Sequence, residues 1–541
     1  MSVKHLVSVL LVIVMTVSVV MPAISASEKG VDLSAIVVED RTAEIAVHTS
    51  TNSIDLGSLV NDDVSVTATN VGTSIARISF GVMDEGDSSL ISDGLSINGN
   101  DWRDYSVDLY SAMSRILTVS LTLPSSAEEE DLDGNIVLWA EAVPPSAEKT
   151  WSLFHGDQQL TGYYDGDAPD TNEILWISED IGCVPSSSVT IGEGKVFVYC
   201  FDLGTVSGKK QGYIAALDLE TGELLWKEKT LLTNKWGSWA TPAYHDGLVF
   251  TSGDVARYAS NGTPAWPEGR CLVDATNGGP LIADGKVYIG NWDGSTYFAY
   301  DEKTGEQLWI YSVTGYAQGT PSYRDGKLYV TSWQDKNEDG AGYLYCLHAE
   351  KQPNNNQLIW QANSGDSGQN FCGSASLAYG YVYVTSYNFY GYGKLYCYSE
   401  SDGTLIWSQT IQRTDSTPAI YDGKLYVSTG CYGYSDRQIF CIDAYTGDVI
   451  WSTDTSLQIG GWTNSPAIAD GKVFVGVEGT GPNGDGEMVF GYVQIVALDL
   501  ETGDIVWASE DPCGSSVAIH NGVAFSTGTD GKVYAYGSAS A

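Results

Sequence analysis

Apolar and polar residues alternate through short stretches of this chain, and glycine-bearing turns cut the stretches at regular intervals. Between Ser416 and Trp451 the order reads T-P-A-I, a D-G turn, K-L-Y-V-S, a loop, I-F-C-I-D, a T-G turn and D-V-I-W. Period-two alternation, rich in Val, Ile and Tyr and bounded by glycine turns, predicts half-buried antiparallel strands joined as hairpins. One four-stranded unit of this kind cannot cover both of its faces, so it needs copies of itself.

The copies can be counted twice. A closing tryptophan recurs at Trp176, Trp226, Trp266, Trp309, Trp360, Trp407, Trp451 and Trp507. The hairpin typified by I-Y-D-G-K-L-Y-V recurs from Ile191, Tyr244, Ile282, Tyr323, Ala378, Ile420, Ile468 and Ile519. A period of roughly 40–50 residues with four strands per unit predicts an all-β, eight-bladed β-propeller. The two series are offset: Trp176 precedes the first hairpin, and no tryptophan follows the last. The strand E-I-L-W ending at Trp176 is therefore expected to complete the C-terminal blade and leave no free edge.

The segments A-L-D-L-E-T-G-E-L-L-W (from Ala216), A-Y-D-E-K-T-G-E-Q-L-W (from Ala299) and A-L-D-L-E-T-G-D-I-V-W (from Ala497) resemble the tryptophan-docking repeat of pyrroloquinoline-quinone (PQQ)-type propellers. W-S-L-F-H-G-D-Q-Q-L-T-G, from Trp151, is similar to the opening of such domains. The resemblance covers residues 151–541 and implies the fold. It leaves function open, because the same repeat serves quinoprotein dehydrogenases, non-catalytic assembly scaffolds and secreted proteins.

Ahead of the repeats, residues 1–26 carry an early Lys and His, an apolar run from Leu6 to Met21 and a small-residue end, which reads as a secretory signal. Residues 27–143 hold alternating strands from Val64, Ile116 and Asn135 but no tryptophan repeat, as expected of a small immunoglobulin-like sandwich. Residues 144–150, opening on Pro144-Pro145, read as a linker. The expected location is extracellular or at the cell surface. A formal net charge of −41 disfavours nucleic acid as a partner.

Nine cysteines are present. Cys346, Cys397 and Cys441 stand where sister repeats have Ala216 and Ala497 and are expected to be small buried residues. Cys183 and Cys513 fall in blades that the ring closure makes neighbours, so a bridge between them is conceivable, and export permits one. The adjacent Cys-Cys pair that quinoprotein alcohol dehydrogenases use beside their cofactor is absent, as is a C-x-x-C-H haem motif. PQQ is therefore not the expected cofactor. Asp335-x-Asn337-x-Asp339-Gly340 matches the first half of a calcium loop, though Tyr343 and Cys346 stand at the later ligand positions. Asn483-x-Asp485-Gly486 is a weaker echo.

Loops that connect second to third strands carry Tyr387, Phe389, Tyr390, Tyr392, Tyr432 and Tyr434 on two neighbouring blades. Tyrosine joins apolar area to a polar tip, which suits contact with a protein or a cell-surface glycan. Trp239, Arg413, Asp415 and Trp462 are expected at the channel mouth, with Arg413 and Asp415, two apart on one strand, paired to each other. The pattern favours an exported, non-catalytic binding or scaffold protein. A quinoprotein-type dehydrogenase using PQQ and calcium is the first alternative, and a glycan-binding propeller the second.

Overall fold

The computed structural model describes residues 30–36, 47–49, 53–55, 64–70, 76–84, 94–97, 100–103, 106–109, 114–122, 134–142 and 150–537, the last apart from 182–183, 186–187, 203–209, 235–239, 275–277, 292–293, 335–339 and 483–487. The signal segment, most of the linker, both candidate calcium loops, Cys183 and Trp239 lie outside the described residues. The chain divides into two compact units, Met1–Glu148 and Lys149–Ala541.

The described residues of the first unit form β-strands in two sheets. One five-stranded sheet runs Ser53–Asp55, Gly30–Ile36, Gly134–Ala142, Ala76–Asp84, Ser106–Leu109, and a second runs Val47–Thr49, Val64–Asn70, Ser114–Leu121, Leu95–Ile97, Asn100–Asp101. Alternate residues are buried: Val66 and Ala68, Ile78 and Phe80, Leu117, Val119 and Leu121. Burial of alternate residues is the mark of a sheet with one apolar face.

In the second unit the described residues form eight separate sheets, mostly four-stranded and antiparallel. The strand Ile174–Ile177 pairs with Val533–Tyr536, so the segment ending near Trp176 completes the C-terminal sheet. The second sheet departs from the repeat: it holds only Ala243–His245, Leu248–Phe250 and Arg257–Tyr258, and its fourth strand shrinks to a bridge between Arg257 and Pro264. Pro264 and Pro267 lack the N–H that a strand would donate. The sixth and seventh sheets carry long hairpins where loops were expected, Lys424–Cys431 with Ser435–Asp443 and Lys472–Pro482 with Met488–Asp499.

The repeated residues have a common physical reason. Each tryptophan donates its indole N–H to the turn of the next sheet, and all but Trp266 sit on the outer strand of their own. Trp176 Nε1 reaches Leu219 O (3.1 Å), Trp226 reaches Ala259 O (3.0 Å) and Trp309 reaches Ala349 O (2.9 Å). Trp507 ends the series on Pro169 O (3.0 Å), supplied by the segment that precedes the closing strand. The turn glycine is needed twice over. Gly222 has φ +72°, and a Cβ there would lie 2.4 Å from the Trp176 ring. Across the third and fourth strands a small residue faces the tryptophan in six of the sheets: Ala216, Ala299 and Ala497, with Cys346, Cys397 and Cys441 in the same register and fully buried.

The Trp151 segment binds the sheets at their turn end. The amides of Ile191, Tyr244, Tyr323, Leu377, Ile420 and Ile468 donate to the carbonyls of Trp151, Ser152, Gln158, Gln159, Thr161 and Gly162, at 2.7–2.9 Å. The Gln158 side chain reaches Ile282 O (2.9 Å), and Gly522 N reaches Asp167 O (3.0 Å). The segment therefore visits the innermost hairpin of every sheet in chain order. His155, 2 % exposed, pins it further, with its ring nitrogens 2.7 Å from Leu160 O and Pro466 O.

Candidate functional site

The end of the unit opposite the Trp151 segment is built from the connections between second and third strands. Two of these lie side by side: the loop between Tyr381–Thr385 and Gly393–Ser399, and the tip between Lys424–Cys431 and Ser435–Asp443. Tyr390 is 83 % exposed, Tyr434 79 %, Tyr392 64 % and Tyr432 37 %. Phe389 is half-buried. Tyr387, expected on this surface, is turned inward and buried.

Beneath the exposed rings runs a connected aromatic layer. Ring centroids of Tyr316 and Trp333 lie 4.8 Å apart, Trp333 and Phe389 6.0 Å, Phe389 and Tyr387 4.9 Å, and Tyr387 and Trp462 5.3 Å. Arg413 threads this layer. Its Nη1 donates to Phe389 O (2.9 Å), and its guanidinium carbon lies 5.7 Å from the Tyr387 ring and 5.4 Å from the Tyr434 ring. Arg437 stands 5.2 Å from the Tyr432 ring. Cations beneath tyrosine faces attract those rings.

The expected Arg413–Asp415 pair does not form. Arg413 is drawn to the loop carbonyl and the rings, and its Nε has no partner. Asp415 keeps a small exposed fraction, yet its Oδ1 is enclosed and unpartnered. Burial, with the nearby Glu478 charge, pushes its carboxyl up to about 8. Trp462 is half-buried; its carbonyl accepts from Asp415 N (2.8 Å).

Glu478 was not singled out from sequence, although a glutamate inside the apolar run K-V-F-V-G-V-E is a signal that could have marked it. The residue is 1 % exposed. Its Oε1 accepts from Trp462 N (2.7 Å) and its Oε2 from Tyr432 N (3.2 Å), and the Thr463 amide also faces it. Burial outweighs these donors and raises the carboxyl to about 7.

Nearby polar side chains serve the backbone. Asn464 donates to Gly514 O (2.6 Å) and accepts from Gly476 N (3.1 Å), and Asn370 Oδ1 accepts from Gln334 N (2.9 Å). The Cys183–Cys513 bridge is also overturned, because Cys513 is a free thiol 3.1 Å from the Tyr536 hydroxyl. Cys200 is disulfide-bonded instead, and the other described cysteines are free. Among the described residues no group of three or more His, Cys, Asp or Glu side chains is placed to hold a metal ion, and no helix is long and apolar enough to cross a membrane.

The sequence profile of the family described as outer membrane protein assembly factor BamB matches residues 210–343 and 342–489, more than half of the chain. The chain belongs to this PQQ-like propeller-repeat family. Tetrathionate hydrolase of Acidithiobacillus ferrooxidans is 23 % identical over 264 residues, 41 % of this chain and 49 % of that protein. Quinohemoprotein alcohol dehydrogenase ADH IIB of Pseudomonas putida is 35 % identical over 106 residues, 16 % of this chain and 15 % of that protein. The matches span about half or less of the length of these curated relatives. Among solved structures, a europium-containing methanol dehydrogenase superimposes with a TM-score of 0.52 at 15 % identity, over 70 % of this PQQ-like chain and 89 % of that one. At that identity the likeness speaks for the fold alone.

Proposed function

We propose that this is an exported, non-catalytic binding or scaffold protein whose partner, another protein, docks on the tyrosine-bearing end of a closed, eight-bladed propeller. In this reading residues 1–26 direct export, residues 27–143 form an immunoglobulin-like sandwich, residues 144–150 link it to the propeller of 151–541, and Asp335, Asn337 and Asp339 share a calcium ion. The eight sheets in tandem, the closing strand and the Trp151 segment that visits every sheet support the closed ring. The observation that carries the docking role is the set of exposed tyrosines, two of them held over arginines, Tyr434 over the buried Arg413 and Tyr432 over the half-buried Arg437. Rigid aromatic rings with polar tips are the residues that dominate protein interfaces. The family's description as an assembly factor agrees with such a role.

The test is capture from an envelope extract of the producing cells. The wild-type chain should retain a partner that Tyr390→Ala/Tyr434→Ala loses by roughly tenfold or more, while Tyr445→Ala, at the opposite turn end, retains it. Equal capture by all three would end the docking reading.

A dehydrogenase is the second reading, favoured by the identity to a quinohemoprotein alcohol dehydrogenase. Arg413, Asp415 and Trp462 fit a quinone site poorly. The guanidinium is engaged by Phe389 O and the tyrosine rings. Asp415, with its carboxyl at about 8, is protonated at neutral pH and so is a poor general base there. The expected result of an absorption titration with PQQ and calcium is no stoichiometric binding. Binding that disappears in Trp462→Ala would promote the enzyme.

A further inference from the structure

We propose that the turn end at the junction of the fifth and sixth sheets is a second docking surface, which takes a basic segment of another protein. Arginine or lysine side chains of that segment stack on Tyr379, Tyr421 and Tyr445 and pair with Asp422 and Asp448. The surface lies at the opposite end from Tyr390 and Tyr434 and does not rest on the docking reading given for them.

The sister repeats show what is unusual here. In the other hairpins the first turn residue is aspartate in five, with Glu193 and Asn521 in two more, and each has positive φ. Asp and Asn tolerate that region best. The fifth hairpin instead holds Tyr379 there, at φ +56°, an unfavourable conformation for a bulky side chain. Two residues on, five of the eight hairpins carry lysine. In three of these it reaches an acid outside its own sheet: Lys286 to Glu350 (2.5 Å), Lys424 to Glu501 (2.6 Å) and Lys472 to Asp170 (2.8 Å). The fifth hairpin has Tyr381 at this position, and the sixth sheet has Tyr445 where its sisters have Glu350 and Glu501. Three positions that the repeat fills with charge are thus all tyrosine at one junction, and an aromatic contact replaces the ion pair between sheets.

The rings are continuous. Centroids of Tyr379 and Tyr445 lie 5.4 Å apart, those of Tyr381 and Tyr445 6.4 Å, and those of Tyr421 and Tyr163 4.6 Å. The Tyr379 hydroxyl accepts from Gly423 N (2.9 Å), which holds its ring across the junction, and Tyr421 and Asp422 are near enough to act on that phenol. Tyr379, Tyr421 and Tyr445 are exposed. A contiguous exposed aromatic patch marks an interaction site.

Charge decides the occupant. The turn stretches 376–382, 419–424 and 443–449 contain Asp422, Asp443 and Asp448 against a single base, Lys424. That lysine is held by both carboxylate oxygens of Glu501, at 2.8 and 2.6 Å. Asp422 and Asp448 are exposed. The Thr446 and Tyr445 amides hold the Asp443 carboxyl below its usual range, so it stays ionised. Tyrosine faces attract cations, and the charges beside them here are negative. Both features complement a basic partner, and the charges repel an acidic one.

Titrating the full chain with a short fluorescent arginine–glycine repeat peptide, followed by anisotropy, tests this. A chain of net charge −41 attracts any polycation, so the deciding variant must not lower that charge. Tyr379→Asp/Tyr381→Lys/Tyr445→Glu restores the residue types of the sister repeats and makes the chain one unit more negative. It should melt no lower than the wild type, because the turn strain is relieved and the ion pair returns. Its affinity for the peptide should nevertheless fall roughly tenfold, the loss of two or three exposed cation–π contacts, and Tyr445→Ala alone should lose roughly threefold. Asp422→Asn/Asp448→Asn should weaken binding and flatten its salt dependence. Tyr390→Ala/Tyr434→Ala should bind the peptide as the wild type does. Equal or tighter binding by the triple variant would show net charge alone at work and overturn the proposal. So would a patch that binds a neutral oligosaccharide and not the peptide. Neither result bears on the partner of Tyr390 and Tyr434, and failure of the capture test leaves this surface untouched.

Discussion

Replacing Arg257 by alanine should be among the most damaging single changes in the second unit. Arg257 is 5 % exposed and Asp254 is fully buried. The pair is bidentate, with Nε to Oδ2 at 2.6 Å and Nη2 to Oδ1 at 3.1 Å. The same guanidinium donates to Gly262 O and to Lys229 O, both at 2.8 Å. It thus ties together the sheet whose fourth strand is lost and the outer strand of the sheet before it. Removing it strands a buried carboxylate, and breaking such a pair costs about 3–5 kcal/mol. Asp254 is already raised by burial and restrained by Arg257, so without Arg257 it should take up a proton. A raised carboxyl destabilises more as pH rises, so the loss in Arg257→Ala should be larger at pH 8 than at pH 5. Asp254→Leu/Arg257→Met, which removes both charges, should recover most of the loss. Urea unfolding followed by tryptophan fluorescence at the two pH values is the assay. A loss below about 1 kcal/mol, or one equal at both pH values, would refute the reasoning.

Gly222→Ala should lower stability by about 2 kcal/mol or more, because the residue sits at positive φ and its Cβ would strike Trp176; thermal melting measures it. Asp415→Asn should match the wild type only below about pH 4 and exceed it by a margin that grows until about pH 8, since the unfolded carboxyl ionises from about 3.8 while the folded one keeps its proton up to about 8. Calcium should raise the melting temperature, by an increment that corresponds to about 2.7 kcal/mol at a hundredfold excess over Kd, and Asp335→Ala should abolish it. Identical melting with calcium and with chelator would reduce that loop to a solvated turn.

The repeat was legible because its causes are local. A tryptophan, a small residue opposite it and a turn glycine recur with each sheet, and the offset of Trp176 from the hairpins pointed to the strand that completes the last sheet. The departures have causes that spacing does not carry. Pro264 and Pro267 cost the second sheet a strand, and Arg257 compensates through a residue on the neighbouring sheet. The site was only partly visible. Period two put Arg413 and Asp415 on one side of a strand, but Phe389 O and the Tyr434 ring re-aim the arginine. Glu478 meets Tyr432 and Trp462 only because three separate stretches converge, and no spacing within any one of them announces it.

Site-specific photo-crosslinking in the producing cells tests the docking role most directly. A benzophenone amino acid placed singly at Tyr390, Tyr434 or Tyr445 leaves buried packing alone, because all three side chains are exposed. The expected result is one and the same protein captured from positions 390 and 434, and not from 445. No adduct at 390 and 434, or the same adducts from all three positions, would contradict a partner on the tyrosine-bearing face.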